Sequence, residues 1–277
     1  MTVGYINLPF MSGIMRNITA YDAIFTTLSG EIDGMTAENS FRVSTVTGTI
    51  RNVKALSLNT LRFTDNYGII ENVTGGNNAF NAYVGYQNYG TYKNCSAGLQ
   101  SFGEQGVDGL TENCTAGNQG FAALSSIISW GGIGGIKGTY KNCVAGVGSF
   151  FGVNTNTAGA RTIEANYINC TAKEQSFGHV NNVGSETIFS GTARNCTAGF
   201  RSFAGVGTTG GAASISAGAI IENCTAGNFS FGSATGASNL GRVLRCRTTQ
   251  LSNPFSATGT GKVRLCLDGN DNVVNIP

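Results

Sequence analysis

A single histidine, His179, stands in the stretch SFGHVNN. A lone imidazole can move protons or orient a nucleophile, but it cannot by itself build a histidine-rich metal centre. Lys173, Glu174 and Gln175 precede it closely, and Glu186 and Arg201 follow at distances that could bring them near. This is the best polar cluster in the chain, and by itself His179 reads as a surface-loop residue. Glycoside hydrolysis would need two carboxylates about 5 to 10 Å apart. Glu104 and Asp108 in SFGEQGVDG form a loop pair, and Glu174 is a third weak catalytic candidate. Asp65, Glu164 and Glu186 are isolated, while Asp268 and Asp271 fall in an ordinary Gly-Asn-Asp turn. No G-x-S-x-G elbow, Walker loop or dinucleotide fingerprint is present. The expectation is no metal and no cofactor.

The eight cysteines are Cys95, Cys114, Cys143, Cys170, Cys196, Cys224, Cys246 and Cys266. None forms a C-x-x-C pair, so zinc and dithiol chemistry lack a sequence basis. Their spacing instead matches a repeat, one cysteine per unit, which reads as a buried column of small apolar thiols. Stacked neighbours would lie within bridging distance, but Val53 and Val73 fill the same slot in earlier units. Free thiols are therefore expected.

The elements that would hold these residues follow from the repeat. One register contains Asn17, Gly34, Asn52, Asn72, Asn94, Asn113, Asn142, Asn169, Asn195, Asn223, Arg245 and Leu265, spaced 17 to 29 residues apart. A Phe stands eight residues later at Phe25, Phe80, Phe102, Phe121, Phe150, Phe177, Phe203 and Phe231. A fixed interval inside a variable period implies a rigid segment joined by loops of changing length. Such periods suit a solenoid. The leucine-rich framework is absent, and 41 glycines with many β-branched residues oppose helical repeats.

Two residues before the Asn stand mostly large apolar residues, such as Ile50, Ile70, Tyr92, Tyr140 and Tyr167, expected inward. One residue before it stand Arg16, Asp33, Arg51, Glu71, Lys93, Glu112 and Lys141, expected outward and alternating in sign from unit to unit. Cys, Thr and Ala after the Asn resume a period of two. The alternation slips at the Asn, so the Asn marks a bend. Stacked at about 4.8 Å, the Asn side chains should form an amide ladder at a buried bend, and twelve coils should make a rod about 55 to 60 Å long. Residues 1–16 are expected as an N-terminal cap, 17–268 as the solenoid, and 269–277 as a C-terminal cap.

The chain has 277 residues, 12% charged, with net charge +2. This balance gives no support for nucleic acid or an acidic membrane surface as partner. The opening MTVGYINLPFMSGIMRNITAY has no basic leader before an apolar run, and nowhere do eighteen apolar residues stand together. Neither a secretion signal nor a membrane span is expected. The Asn-Cys-Thr and Asn-Cys-Ser triplets match the glycosylation pattern by coincidence with the repeat.

The units from Asn113 to Asn223 are the long ones, at 26 to 29 residues. Their extra residues should protrude along one side of the rod. Any ligand-binding shelf would there use Trp130, Tyr140, Arg161 and His179.

The phrase [Tyr/Ile]-[Lys/Glu]-Asn-Cys-Thr-Ala-Gly followed by Ser-Phe-Gly resembles the right-handed parallel β-helix repeats of the pectate-lyase-like group. It is similar in particular to the Gly-rich versions in bacteriophage tail fibres, tailspikes and other surface fibres. The resemblance covers roughly residues 15–268 and implies an all-β, single-stranded, right-handed parallel β-helix of about twelve coils. That group includes lyases, hydrolases and purely structural or adhesive fibres; the regular ladders and the lack of a convincing active site favour a non-catalytic structural or receptor-binding module of a virion or extracellular surface assembly, self-associated as a homotrimer or larger. Two alternatives remain open: a tailspike that binds or depolymerises a cell-surface glycan, and an ice-binding solenoid using the outward Thr74, Thr115, Thr171, Thr197 and Thr225. Charged neighbours and Val144 disfavour the ice-binding face.

Overall fold

The computed structural model describes residues 1–55, 61–80, 88–102, 108–121, 137–150, 159–179, 185–205, 212–232, 238–250, 255 and 261–277. Every element among them is a β-strand. The chain winds into a parallel β-solenoid of about ten turns, close to the dozen expected. Strand β1 (Thr2–Met11) pairs in parallel with β2 (Ile14–Leu28), which pairs with β3 (Glu31–Val46). Strand β3 is long enough to meet both β4 (Thr49–Ala55) and β5 (Leu61–Asn66), on successive faces of the next coil. From there the strand ahead of each bend shortens to three residues, as at Ile69–Glu71, Thr91–Lys93 and Thr139–Lys141, and each stacks in register on the last.

The bend residues explain the slip in alternation. All twelve repeat positions from Asn17 to Leu265 have left-handed backbone, with φ between 51° and 73°. Asn tolerates this region better than other side-chain-bearing residues because its short amide bonds locally. Gly34 needs no such help, while Arg245 and Leu265 adopt the same φ without either advantage.

The bend is exposed, not buried as expected. The Asn amides nevertheless ladder along the outside: the Nδ2 of Asn72, Asn94, Asn113, Asn142, Asn169, Asn195 and Asn223 each donates to the Oδ1 of the preceding Asn, at 3.0 to 3.2 Å. Asn52, which faces Gly34, reaches Asp33 instead at 2.7 Å. A glycan attached at these Asn residues would occupy the Nδ2 that makes the ladder. What opposes the glycosylation match is therefore the ladder rather than burial.

A second bend lies at the Phe. Phe80, Phe102, Phe121, Phe150, Phe177, Phe203 and Phe231 are all left-handed, and so is the residue two before each, from Asn78 to Phe229. For a bulky side chain this costs roughly 1–2 kcal/mol per residue. The same bend turns every ring into the core, where successive Phe centroids lie 4.5 to 5.2 Å apart. Burying a Phe is worth about 1.5–3 kcal/mol, and an aromatic neighbour adds about 0.5–1.5 kcal/mol. Burial and stacking together outweigh the backbone cost.

Between the two left-handed residues sits a small residue, a buried Ser at Ser101, Ser149, Ser176, Ser202 and Ser230, with Ala79 and Gly120 in the other two corners. The N–H of Gly120, Ser149, Ser176 and Ser202 each donates to the Oγ of the next coil's Ser149, Ser176, Ser202 or Ser230, at 2.9 to 3.2 Å. The hydroxyl thus accepts from the backbone N–H that the double bend leaves outside the regular ladder.

Phe25 does not belong to this column. It lies within β2 in register with Leu8 and Val43, its φ is not left-handed, and its ring meets Phe41 at 5.9 Å. The eight-residue interval after Asn17 coincides with the pattern but not with the bend.

The eight Cys are buried, free thiols. Each Sγ donates to the carbonyl two residues earlier, as in Cys95 to Lys93 at 3.2 Å, and the Cys196 N–H donates to the Cys224 Sγ at 3.4 Å. Burial pushes the Cys224 and Cys246 thiols well above the usual range.

Part of the added length in the long coils is not protruding loop. The strands Gly159–Ile163, Ser185–Phe189, Ala212–Ile215 and Ser238–Asn239 form a separate four-stranded parallel stack. At the ends, segment 1–16, expected as a cap, supplies β1 and the start of β2. The last strand, Val273–Ile276, folds back antiparallel on Lys262–Leu267.

Candidate functional site

The outward charge column stands in the expected register, from Arg16 beside Asp33 to Glu112 beside Lys141. Contact is selective. Lys141 Nζ lies 2.8 Å from Glu112 and Arg194 lies 3.5 Å from Glu222, but Arg51 turns to Glu31 at 3.0 Å rather than to its column neighbours. The hydrogen bond from Lys141 holds the Glu112 carboxyl below its ordinary range. Exposed pairs of this kind hold register more than they add stability.

Asp108 belongs to a second column of the same kind. It precedes the bend Asn113 by five residues, as Lys137 precedes Asn142 and Glu164 precedes Asn169. Lys137 Nζ lies 3.4 Å from Glu164. Partial burial raises the Asp108 carboxyl, the backbone and ammonium of Lys137 lower it, and Glu164 raises it further. Asp108 thus sits in a stack of alternating charges. Its expected partner Glu104 lies outside the described residues, as does Trp130.

Tyr140 is not on a protruding shelf. It is 1% exposed, with its ring 5.8 Å from Phe150 and 5.4 Å from Tyr167. Position in the repeat places it inward, and the core claims it. Glu174 is exposed, and its backbone carbonyl accepts from Gly148 N–H at 3.0 Å.

His179 is interior, which corrects the surface-loop expectation. The left-handed Phe177 and Gly178 turn the chain inward, and a Cβ at Gly178, where φ is 91°, would meet Ile163 Cδ1 at 2.9 Å. His179 is 2% exposed; neither ring nitrogen reaches good hydrogen-bonding geometry, although the Gly205 and Arg201 backbone lies close enough to oppose the lowering of its pKa. Burial, then the charge of Arg201, lowers its pKa to about 4, so the ring is neutral near pH 7. The same corner holds the buried Thr187 hydroxyl, which has no partner among the described residues, while the Arg201 guanidinium lies over the Phe200 ring, 4.5 Å from its centroid. Thr187 Cγ2 lies 3.5 Å from the Gly178 Cβ position.

Of Arg161 the structure describes the backbone, which stands in register with Thr187. Two of the four shelf residues, Arg161 and His179, therefore occupy one corner of the solenoid. Sequence reading missed Thr187, whose burial follows only from the strand Ser185–Phe189 turning its alternate residues inward.

Chemically this corner offers a neutral imidazole and a hydroxyl. An acid–base site of the usual kind would add a carboxylate to orient the imidazole. Glu174 is exposed, and Glu186 neighbours Thr187 on a strand whose successive residues face opposite sides. Among the described residues no three His, Cys, Asp or Glu side chains are grouped to hold a metal ion. Among them too, no helix is long and apolar enough to cross a membrane.

No protein-family model, no curated protein and no solved structure matches this chain. The residues must carry the functional argument alone.

Proposed function

We propose that the chain is a structural or receptor-binding fibre module of a virion or similar extracellular surface assembly, and that it works as a rigid shaft without catalysis. The observation that supports this reading most is the coincidence of ladders. Asn amides, Ser hydroxyls, Phe rings and thiols all repeat in register through the same coils. Each ladder rewards shape: one fixes the outer bend, one the inner bend, and two fill the core. The side chains with chemical potential are spent on stacking, Asp108 and Glu112 included.

The His179 corner keeps the glycan-depolymerising tailspike reading in view as the alternative, since its polar atoms lie beside the long-coil strands. Electron microscopy of the native assembly, with the chain tagged, tests the two together with an assay for release of reducing ends from capsular or lipopolysaccharide preparations. The shaft reading expects the tag at regular positions on a fibre and no sugar release. A free monomer that cleaves a surface glycan overturns it.

A further inference from the structure

We propose that the thiol column is a binding site for soft univalent metal ions, Cu(I) above all, each held in line between the sulfurs of two successive coils. This goes beyond the shaft reading and does not rest on it, since a shaft needs only apolar volume there. Val53 and Val73 supply that volume in the same slot, and both are buried. Over the eight coils from Cys95 to Cys266 the slot is instead always a thiol.

The register makes the eight sulfurs a single line. The residue after each Cys pairs with its counterpart in the next coil, from Ser96 with Thr115 to Thr225 with Arg247 and Arg247 with Leu267. Successive coils stand about 4.8 Å apart. Two thiolate–metal bonds of about 2.3 Å each span about 4.6 Å, so a cation midway between two stacked sulfurs reaches both with little movement of either coil. Adjacent thiols already lie close enough to bias one another's ionisation, as Cys143 and Cys196 do for Cys170.

The class of metal follows from the number of ligands. Zinc takes four in a tetrahedron and iron–sulfur clusters take four thiolates, whereas no three such side chains surround one point among the described residues. A straight column offers any one cation two sulfurs. Soft Cu(I) prefers thiolate and, like Ag(I), is satisfied by two collinear ones.

The backbone around the column suits both partners of such a bond. The N–H of Cys95, Cys196 and Cys246 donates to the sulfur of the next coil's Cys at 3.3 to 3.4 Å, a bond of the kind that steadies a metal-bound thiolate. Carbonyl oxygens face the same sulfurs, as those of Tyr140 and Ile168 face Cys170 at 3.3 and 3.5 Å. Their negative ends favour a cation in the gap.

Charge also balances. Burial holds the Cys224 and Cys246 thiols protonated, so the column disfavours bare thiolates. Eight thiols leave seven gaps. Each entering cation displaces one proton, and a full column of seven cations, seven thiolates and one thiol carries no net charge. No electron moves. Each Cys directly follows an exposed bend residue, which gives the cation a short way in.

Native mass spectrometry of the whole reduced chain, titrated without oxygen with Ag(I) and with an acetonitrile complex of Cu(I), counts the bound ions. Seven per chain are expected, with an ultraviolet thiolate-to-metal band and an unchanged circular dichroism spectrum. Valine variants read the geometry, because an end thiol borders one gap and an interior thiol borders two. Cys95→Val should hold six ions and Cys170→Val five. Cys196→Val should also hold five, so the comparison survives if one variant misfolds. A folded chain that binds no ion overturns the inference. Equal losses from the end and interior variants overturn it too, because they mark thiols acting independently. Binding that unfolds the chain does the same, since the ions would then reach thiols that the solenoid does not offer.

Discussion

The first coils and the middle coils turn the same corner by different means. In β2 and β3 the chain runs 15 and 16 residues as strand, the register shifts between Ala20 and Asp22, and Phe25 and Phe41 pack without left-handed backbone. From Phe80 to Phe231 the corner is instead two left-handed residues around a small buried one, under a continuous ring stack. The first solution keeps the Phe backbone out of the left-handed region, in the shortest coils of the chain, from Asn17 to Asn52. The second accepts backbone strain at each Phe and recovers it through stacking, which shortens the strand and frees residues for the loops. Side chains with chemistry accumulate in the second region: the thiols, the serine ladder and His179.

Removing a ring is the harshest way to probe this contrast. Phe177→Ala should cost about 3–5 kcal/mol, read as a lowered denaturation midpoint, because the ring touches Phe150, Phe203 and Tyr167. A similar loss is expected at Phe25, so magnitude alone does not separate the regions.

Acid should separate them. His179 is titratable and buried, whereas the buried polar residues of the first coils are Ser40 and Asn66. Its folded pKa is about 4 against an ordinary 6.5, so the unfolded chain binds the proton first. Stability from the neutral ring is complete above pH 6.5 and is lost as pH falls towards 4, by on the order of 3 kcal/mol. Unfolding curves at pH 7 and pH 4.5 should show that loss, and His179→Leu should flatten it.

Ser176→Ala removes the acceptor of the Ser149 N–H and should cost about 1–3 kcal/mol. Ala79 holds the corresponding place before Phe80 and is 0% exposed, so that corner already folds without a hydroxyl. Faster hydrogen exchange at the Ser149 amide, with little change near Ala79, is the expected signature. The smallest effect belongs to Glu112→Gln. Lys141 depresses that carboxyl's pKa, so its contribution is present above the ordinary carboxylate pKa and fades as pH falls through the folded one. Raised salt should abolish the difference between Glu112→Gln and the parent chain.

Much of the fold was legible because the period of two and its slip at Asn are local. Inward Tyr92 and Tyr167, outward Lys93 and the thiol column all follow from counting residues around that Asn. The Phe corner was not legible, because left-handed backbone is the last conformation that Phe propensity suggests. Only the ring stack across coils stabilises it, and that is a non-local term. Phe25 shows the converse: equal spacing without the corner. At the candidate site, sequence position suggests a surface loop for His179, whereas the chain turns it inward, since one glycine, Gly178, reverses its direction. For Tyr140, loop length suggests the shelf, but its repeat position two residues before Asn142 puts it in the core.

The central claim is that left-handed strain at the Phe corner is borne by the stack. Comparing Ala with Gly at Phe150 and at Phe25, by denaturant unfolding of all four variants, tests it most directly. At Phe150, where φ is 48°, Gly should be the more stable replacement by about 1 kcal/mol, because it has no Cβ to strain. At Phe25, inside a strand, Ala should be the more stable by a similar amount. The same order at both positions, with Ala above Gly, would contradict the account.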